Sequence, residues 1–175
     1  MKKDILKNKQ GFSLLELLIY IAILSILMVV ISQVFIALMR GRGQAEARSE
    51  VNSAVRFATE RIKQDIKRAS SITLPVLGTP SATLKATTTP NTMVLYDVSG
   101  GALRRTEGTG AATTTTNVTG DAVLVDTPLF TRLENYNTVL QATTTAIRME
   151  MVFRYNSVSS DWSYQDTLRT TVTLH

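Results

Sequence analysis

Apolar residues are spread unevenly along the chain, and their densest stretch lies near the N-terminus. Between Phe12 and Met39 the only charged residue is Glu16, and most of the others are Leu, Ile, Val, Ala, Met or Phe. A helix of this length is about 40 Å long, whereas a bilayer core is about 30 Å thick and needs about 20 apolar residues. The pattern therefore predicts a membrane-spanning helix over residues 12–39.

A second helical pattern covers residues 44–69. Apolar residues recur there at helical spacing, which predicts one buried stripe on an amphipathic helix: Val51, Val55, Ala58, Ile62, Ile66 and Ala69. Charged residues occupy the other faces, and among them we expect Arg61 and Asp65 to form a weak pair on the solvated side. The glycines of Arg40-Gly41-Arg42-Gly43 predict a soft joint between the two helices.

Beyond residue 69 the pattern changes to short alternating segments that are typical of β-strands. The clearest strand covers residues 146–156, where every second residue is apolar: Ile147, Met149, Met151, Phe153 and Tyr155. Such alternation is expected when one face of an antiparallel sheet is covered. The return strand begins at Trp162 and alternates through Leu168, Thr170, Val172 and Leu174.

The remaining β pattern is less regular. We predict strands at residues 92–98, 102–107, 122–126 and 128–134, with a turn at Ser99-Gly100-Gly101. Residues 70–90 are predicted as a loop with at most one short strand, and residues 108–120, which include Thr113–Thr116, as a second loop. A helix followed by antiparallel strands predicts an α+β fold, with the amphipathic helix packed on the sheet.

The flanks decide what kind of segment the apolar stretch is. Four lysines and only one acid, Asp4, precede it, and this positive flank keeps the N-terminus cytoplasmic. A secretory signal would have a shorter apolar core followed by an A-x-A cleavage site, but here the small residue Gly11 precedes the stretch. Cleavage after Gly11 would leave the apolar helix on the mature protein.

Glu16 is unusual because it lies about one turn inside the apolar stretch. A carboxylate there costs roughly 2.5–3.5 kcal/mol on insertion scales. Either the side chain reaches the lipid headgroups, or it has a cationic partner in the membrane. We favour the partner, because a position one turn inside the stretch makes a surface explanation weak.

Composition and charge narrow the chemistry. The 175 residues include no cysteine and one histidine, His175, so disulfides and thiolate metal sites are excluded and histidine catalysis is not indicated. The aspartates lack calcium-loop spacing, and neither a phosphate loop nor a nucleophile elbow is present. We therefore predict no enzyme, metal or cofactor.

The net charge of +5 does not indicate nucleic-acid binding. Residues 1–11 contribute +3 of it, which leaves +2 on the side chains that follow. A nucleic-acid surface needs a clustered basic face, and none is evident in the pattern.

The run Gly11-Phe12-Ser13-Leu14-Leu15-Glu16 behind its basic leader resembles the type IV prepilin signal, written G-F-[ST]-L-x-E. The resemblance implies that prepilin peptidase removes residues 1–11 by cleaving between Gly11 and Phe12, and then methylates the amine of Phe12. It also implies that Glu16 pairs with the terminal amine of a neighbouring pilin or pseudopilin subunit during assembly on an inner-membrane platform.

The rest of the chain resembles the pilin fold in residues 61–71, 101–105 and 151–155 with the following Trp162, nearest to the J-type pseudopilin of type II secretion and the W-type minor pilin. This implies a minor structural subunit of a type IV pilus or pseudopilus, with residues 70–175 as an extracytoplasmic β-rich domain. The alternative is an adhesin or DNA-uptake module on such a filament, binding through the Thr113–Thr116 loop. A single-pass membrane enzyme or sensor is a third, less supported interpretation.

Three smaller signals have a plain structural explanation beside a functional one. Asn117-Val118-Thr119 fits the N-glycosylation triplet, and the threonine tracts fit O-glycosylation, but polar loops contain the same residues. Trp162 next to Tyr164 favours packing at a strand edge over a ligand platform.

Overall fold

A computed structural model describes residues 13–88, 91–139, 141–159 and 162–174. Within these residues, one long helix is followed by nine strands: α1 (Leu14–Arg68), β1 (Ala69–Leu74), β2 (Leu84–Thr88), β3 (Thr92–Ser99), β4 (Ala102–Thr109), β5 (Ala112–Asn117), β6 (Val123–Val125), β7 (Leu129–Asn137), β8 (Ala142–Tyr155) and β9 (Gln165–Thr173). The predicted α+β class is confirmed. The chain divides into two compact units, Met1–Gly41 and Arg42–His175.

The helix α1 forms where the sequence has no proline, so no helical hydrogen bond is lost. Its last turn carries Lys67 and Arg68, which complement the partial negative charge of a helix C-terminus. Both Gly41 and Gly43 lie within α1, so the predicted joint does not interrupt the helical hydrogen bonding.

The strands form two antiparallel sheets. The first has the order β1-β2-β3-β4-β5, so each strand pairs with its neighbour in sequence. In the second, β8 is the central strand: β6 and β7 pair with different parts of one edge, and β9 pairs with the other. Further backbone hydrogen bonds link the sheets, from Val125 N to Gly101 O at 2.7 Å and between Ser81 and Phe130 at 2.8 and 2.9 Å.

The core of the Arg42–His175 unit lies between α1 and the strands. The predicted stripe is buried at Val51, Ala58, Ile62 and Ile66, while Val55 is partly buried. The predicted inward face of β8 is buried as well, at Ile147, Met149, Met151 and Phe153. Strands of both sheets complete the same cluster with Val94, Tyr96, Leu103, Val125 and Phe130. The apolar stripe of α1 and the inward face of β8 therefore cover each other.

Two predicted loops are wrong in part, because both contain paired strands. Residues 70–90 contain most of β1 and all of β2, and residues 108–120 contain β5, which pairs with β4 from Arg104↔Asn117 to Thr109↔Ala112. Threonine is β-branched and fits a pleated strand, and Gly110 supplies the positive φ of 61° in the turn before β5. Polar tracts that look like loops thus become strands once a neighbouring strand satisfies their backbone.

Candidate functional site

The N-terminal part of α1 is exposed over all of its described residues up to Arg42. All side chains from Ser13 to Arg42 are exposed, including the leucines, isoleucines and valines of the apolar stretch. The described part of the chain contains one helix long and apolar enough to cross a membrane, and it is α1. Exposed apolar surface on this scale marks a site of contact with lipid or protein.

Two serine side chains in this stretch form hydrogen bonds within the helix. The hydroxyls of Ser25 and Ser32 donate to the carbonyls of Ile21 and Met28, each at 2.8 Å. Such bonds hide a hydroxyl from an apolar environment. These two hydroxyls therefore add little polar cost where the stretch faces lipid or other helices.

Glu16 lies in that first turn and is exposed. Its Oε1 accepts a hydrogen bond of 3.3 Å from the hydroxyl of Tyr20, one turn further along the helix. Within the described residues, no lysine or arginine forms an ion pair with Glu16. The carboxylate therefore retains acceptor capacity for a cation from outside these residues. Gly11 and Phe12, the predicted cleavage and methylation residues, lie outside the described part.

A second group of charged residues is buried in the Arg42–His175 unit. Asp65 accepts hydrogen bonds from Arg105, with Nε to Oδ2 at 2.6 Å and Nη2 to Oδ1 at 3.3 Å, and from the hydroxyl of Tyr96. Arg105 also donates to Glu107. These contacts join α1 to β3 and β4, so their role is to fix the helix on the sheet.

The environment shifts the pKa values of this group. Burial raises the pKa of Tyr96, and the neighbouring Asp65 carboxylate raises it further. Burial alone would lower the pKa of Arg105, but its hydrogen bonds to Asp65 and Glu107 outweigh this and raise it. The hydrogen bond from Arg105 lowers the pKa of Glu107. Arginine and tyrosine thus stay protonated while Glu107 stays ionised, which suits a structural ion cluster.

The predicted pair between Arg61 and Asp65 is present as a long contact, but the expectation that Asp65 lies on the solvated side is wrong. Asp65 is buried, its main partner is Arg105, and Arg61 Nε lies 4.0 Å from its Oδ2. The helical spacing could have predicted that Asp65 is buried, because Asp65 lies three residues after Ile62 and four before Ala69 and so falls on the buried stripe. A polar cleft of about 380 Å³ beside this cluster is lined by Arg61, Arg68, Thr88, Thr92 and Glu107 among others.

The possible modification sites differ in accessibility. Thr119 is 2% exposed, and its hydroxyl accepts a hydrogen bond of 3.1 Å from Leu103 N. The glycosylation triplet therefore does not present its hydroxyl at the surface. All residues of β5 are exposed, but they form an edge strand and not the predicted loop. The described residues contain no group of three or more His, Cys, Asp or Glu side chains arranged to hold a metal.

The fold defines the class of protein: a long, N-terminally apolar helix whose later part packs on antiparallel strands is a pilin-like α+β architecture. Residues 6–32 match the family model for the prokaryotic N-terminal methylation motif, the signature of type IV prepilin-like proteins. No curated protein and no solved structure matches the chain. The motif supports a type IV pilin-like or pseudopilin precursor and points to a structural subunit. It implies processing by prepilin peptidase and assembly with other pilins, and with the apolar helix it fits a single-pass membrane anchor.

Proposed function

We propose that this chain is a minor structural subunit of a type IV pilus or a type II secretion pseudopilus. Prepilin peptidase cleaves it between Gly11 and Phe12 and methylates the Phe12 amine. The observation that carries the proposal is the methylation motif at residues 6–32, which runs directly into an exposed apolar helix with one carboxylate.

The proposed topology follows from charge and exposure. The lysines of the leader, residues 1–11, hold the N-terminus in the cytoplasm, and residues 12–39 span the membrane. The amphipathic helix, residues 44–69, and the β-rich domain, residues 70–175, are extracytoplasmic. The inner-membrane assembly platform and other pilin or pseudopilin subunits are the partners, and on assembly neighbouring helices replace lipid around residues 12–39.

Glu16 sets the stagger between neighbouring subunits in this proposal. Apolar helix surfaces have little register preference, whereas an ion pair between Glu16 and the Phe12 amine of a neighbour forms at one axial offset. In a medium of low dielectric constant, removing one partner leaves an uncompensated charge that costs about 3–5 kcal/mol. That cost corresponds to about a hundredfold or more in an association constant.

Co-purification with partner subunits tests the assembly role. We expect Glu16→Val and Glu16→Gln to leave membrane insertion and cleavage intact while co-purification, at matched membrane levels, falls sharply. Leu18→Val is the matched control, since it alters an exposed residue of the same turn without changing charge. Unchanged co-purification of Glu16→Val would contradict the pairing and would mean that the Glu16 side chain only reaches the lipid headgroups.

Intact mass of the membrane-extracted protein tests the processing. We expect loss of residues 1–11 and one added methyl group on Phe12. A mature N-terminus beyond Met39 would contradict the proposal, because it would show an ordinary secretory signal.

A further inference from the structure

Phe57 is exposed, although the other large apolar residues in its part of α1 are not. In the helical part of the Arg42–His175 unit, the valines and isoleucines are buried or partly buried, whereas 59% of Phe57 is exposed. A single exposed apolar residue is common on protein surfaces. Phe57 is not isolated, however, because it lines a groove of about 190 Å³.

The groove lies between α1 and the segment that connects β5 to the start of β6. Its lining is mostly apolar, with Ala54 and Phe57 from the helix and Val118, Ala122 and Val123 from the connecting segment. Sites for small molecules commonly have volumes of about 300–1,000 Å³, so this groove is too small for most of them. Its size and lining suit an inserted side chain of another protein.

Hydrogen bonds fix the wall of the groove that lies opposite the helix. Val118 N donates to Leu103 O at 2.7 Å, and Thr119 Oγ1 accepts a hydrogen bond of 3.1 Å from Leu103 N. At the other end of this wall, Asn156 N donates to Ala122 O at 2.8 Å. The groove is therefore formed before any partner binds, and binding does not have to order this wall.

Two carboxylates in and next to the groove have no basic partner among the described residues. Glu50 lines the groove, and Asp121 lies in sequence between the lining residues Gly120 and Ala122. Both acids are exposed, and no lysine or arginine of the described chain forms an ion pair with either. A complementary partner therefore presents an apolar side chain to the groove and a lysine or arginine to the carboxylates.

A second copy of this chain fits that description poorly. The other exposed large apolar residues of the described Arg42–His175 unit lie between Val76 and Trp162. None of them is next to a lysine or arginine in sequence. Phe57 itself follows Arg56, but Phe57 is already part of the groove wall. The groove therefore favours a different chain as its partner.

We propose that the groove beside Phe57 is a docking site for a different pilin or pseudopilin subunit. An apolar side chain of that subunit enters the groove against Phe57, and an adjacent lysine or arginine pairs with Glu50. Aromatic residues are enriched in the buried centre of protein interfaces, whereas the rim is polar. The inference rests on the proposed function, because it takes the partner to be another subunit of the same filament.

Photocrosslinking of the full chain tests the docking site. Phe57 is replaced by benzoylphenylalanine, which retains an aromatic ring, in cells that contain the whole assembly system. We expect a cross-link to a different protein that has its own N-terminal methylation motif, at an apolar residue next to a lysine or arginine. The control has benzoylphenylalanine at Asn52, which is exposed on another face of the helix, and should give a lower yield.

Charge reversal tests the pairing in the chain with benzoylphenylalanine at residue 57. Glu50→Lys should lower the cross-link yield at least about tenfold, because like charges then face each other across the interface. Glu46→Lys is the matched control, since it makes the same change of charge at an exposed residue one turn earlier in the helix. Its yield should equal that of the unmodified groove.

A substitution in the opposite wall tests the groove independently of charge. Gly120→Val adds a side chain to this wall and should also lower the yield, because the partner's side chain loses space. Nothing in the described chain lies within 4 Å of a Cβ at residue 120, so the added side chain fits the fold. An unchanged yield would contradict insertion into the groove.

Benzoylphenylalanine at Ile26, a 67% exposed residue of the apolar stretch, separates the two proposals. If neither residue 26 nor residue 57 cross-links to a pilin-like subunit, the proposed function fails. If residue 26 does, but residue 57 cross-links to a second copy, to a protein without the motif or to nothing, only the docking site is overturned. Equal yields from residues 57 and 52, or from Glu50→Lys and Glu46→Lys, would likewise contradict it.

Discussion

At the scale of single residues, the cluster of Asp65, Tyr96 and Arg105 is costly to bury, but its hydrogen bonds require one specific geometry. Burying ions is expensive unless each is paired and hydrogen-bonded. Here the Asp65 carboxylate accepts from both partners, and Arg105 has a second acceptor in Glu107. The cluster therefore favours one seating of α1 on the first sheet.

Removing the Asp65 carboxylate should destabilise the fold, because it leaves the buried charge of Arg105 without this partner. We expect Asp65→Ala to lower the free energy of unfolding of the Arg42–His175 unit by about 3–5 kcal/mol, because Arg105 loses its main buried partner. Arg61→Ala, which removes an exposed and longer contact, should cost less than about 1 kcal/mol. Denaturant unfolding measures both, and equal effects would show that Asp65 is solvated.

The lowered pKa of Glu107 predicts a dependence of stability on pH. A carboxyl group whose pKa is lower in the folded state stabilises the fold fully above its ordinary value of 4.5. That contribution is lost as the pH falls through the lower folded value. Solvent screening of a half-exposed group limits the effect to less than about 1 kcal/mol.

Thermal unfolding between about pH 5 and about pH 3 measures the Glu107 contribution. We expect the melting temperature of Glu107→Gln to fall less steeply with decreasing pH than that of the unmodified unit. Parallel curves would exclude the hydrogen bond from Arg105 as a source of acid sensitivity.

At the scale of elements, β8 is the strand on which the second sheet depends. It pairs with β6, β7 and β9, and its inward face meets the stripe of α1 in one cluster.

The threonine strand β5 lies at one edge of the first sheet. Deleting Thr113–Thr116 would remove most of β5 and leave one edge of β4 without its partner, so the adhesin alternative must be tested with exposed-face substitutions and not with that deletion.

The faces of β8 can be checked by a pair of substitutions. We expect Phe153→Ala to cost roughly 3–5 kcal/mol in the free energy of unfolding, because the ring is fully buried. Arg148→Ala, on the exposed face of the same strand, should change it by less than about 0.5 kcal/mol. A loss below about 1 kcal/mol for Phe153→Ala would mean that the strand presents its other face to the core.

At the scale of the whole molecule, the two units have different sources of stability. The Arg42–His175 unit contains the buried cluster and both sheets, whereas the described residues of Met1–Gly41 bury nothing and need lipid or neighbouring helices. In the larger unit the ring of Trp162 packs directly on Gly43, where a Cβ would lie 2.5 Å from Cδ1 of the ring. A fragment that begins at Gln44 would lose this contact.

Truncation tests this division. We expect residues 42–175 to fold alone as a soluble monomer with one cooperative unfolding transition, since helix and sheet cover each other. A chain that begins at Gln44 should unfold at a lower temperature because it lacks Gly43 under the indole. Aggregation of the longer fragment, measured by light scattering, would show that residues 13–41 are needed for folding.

The sequence by itself determined the features that depend on residues close together in the chain. The apolar stretch, the stripe from Val51 to Ile66 and the alternation of β8 follow from periodicity, because a helix repeats every 3.6 residues and a strand every two. The prepilin-like signal is likewise contiguous. The cleavage at Gly11–Phe12 and the pairing of Glu16 stay predictions, because the first lies outside the described residues and the second needs another subunit.

The tertiary structure alone decided the features whose partners are distant in sequence. Asp65 is buried because Tyr96 and Arg105 reach it from β3 and β4. The threonines of β5 form a strand because β4 satisfies their backbone, and Gly43 is needed because Trp162 packs on it. In each case the local pattern is compatible with a solvated helix face, a loop or a joint, and only the contact with residues distant in sequence selects the observed conformation.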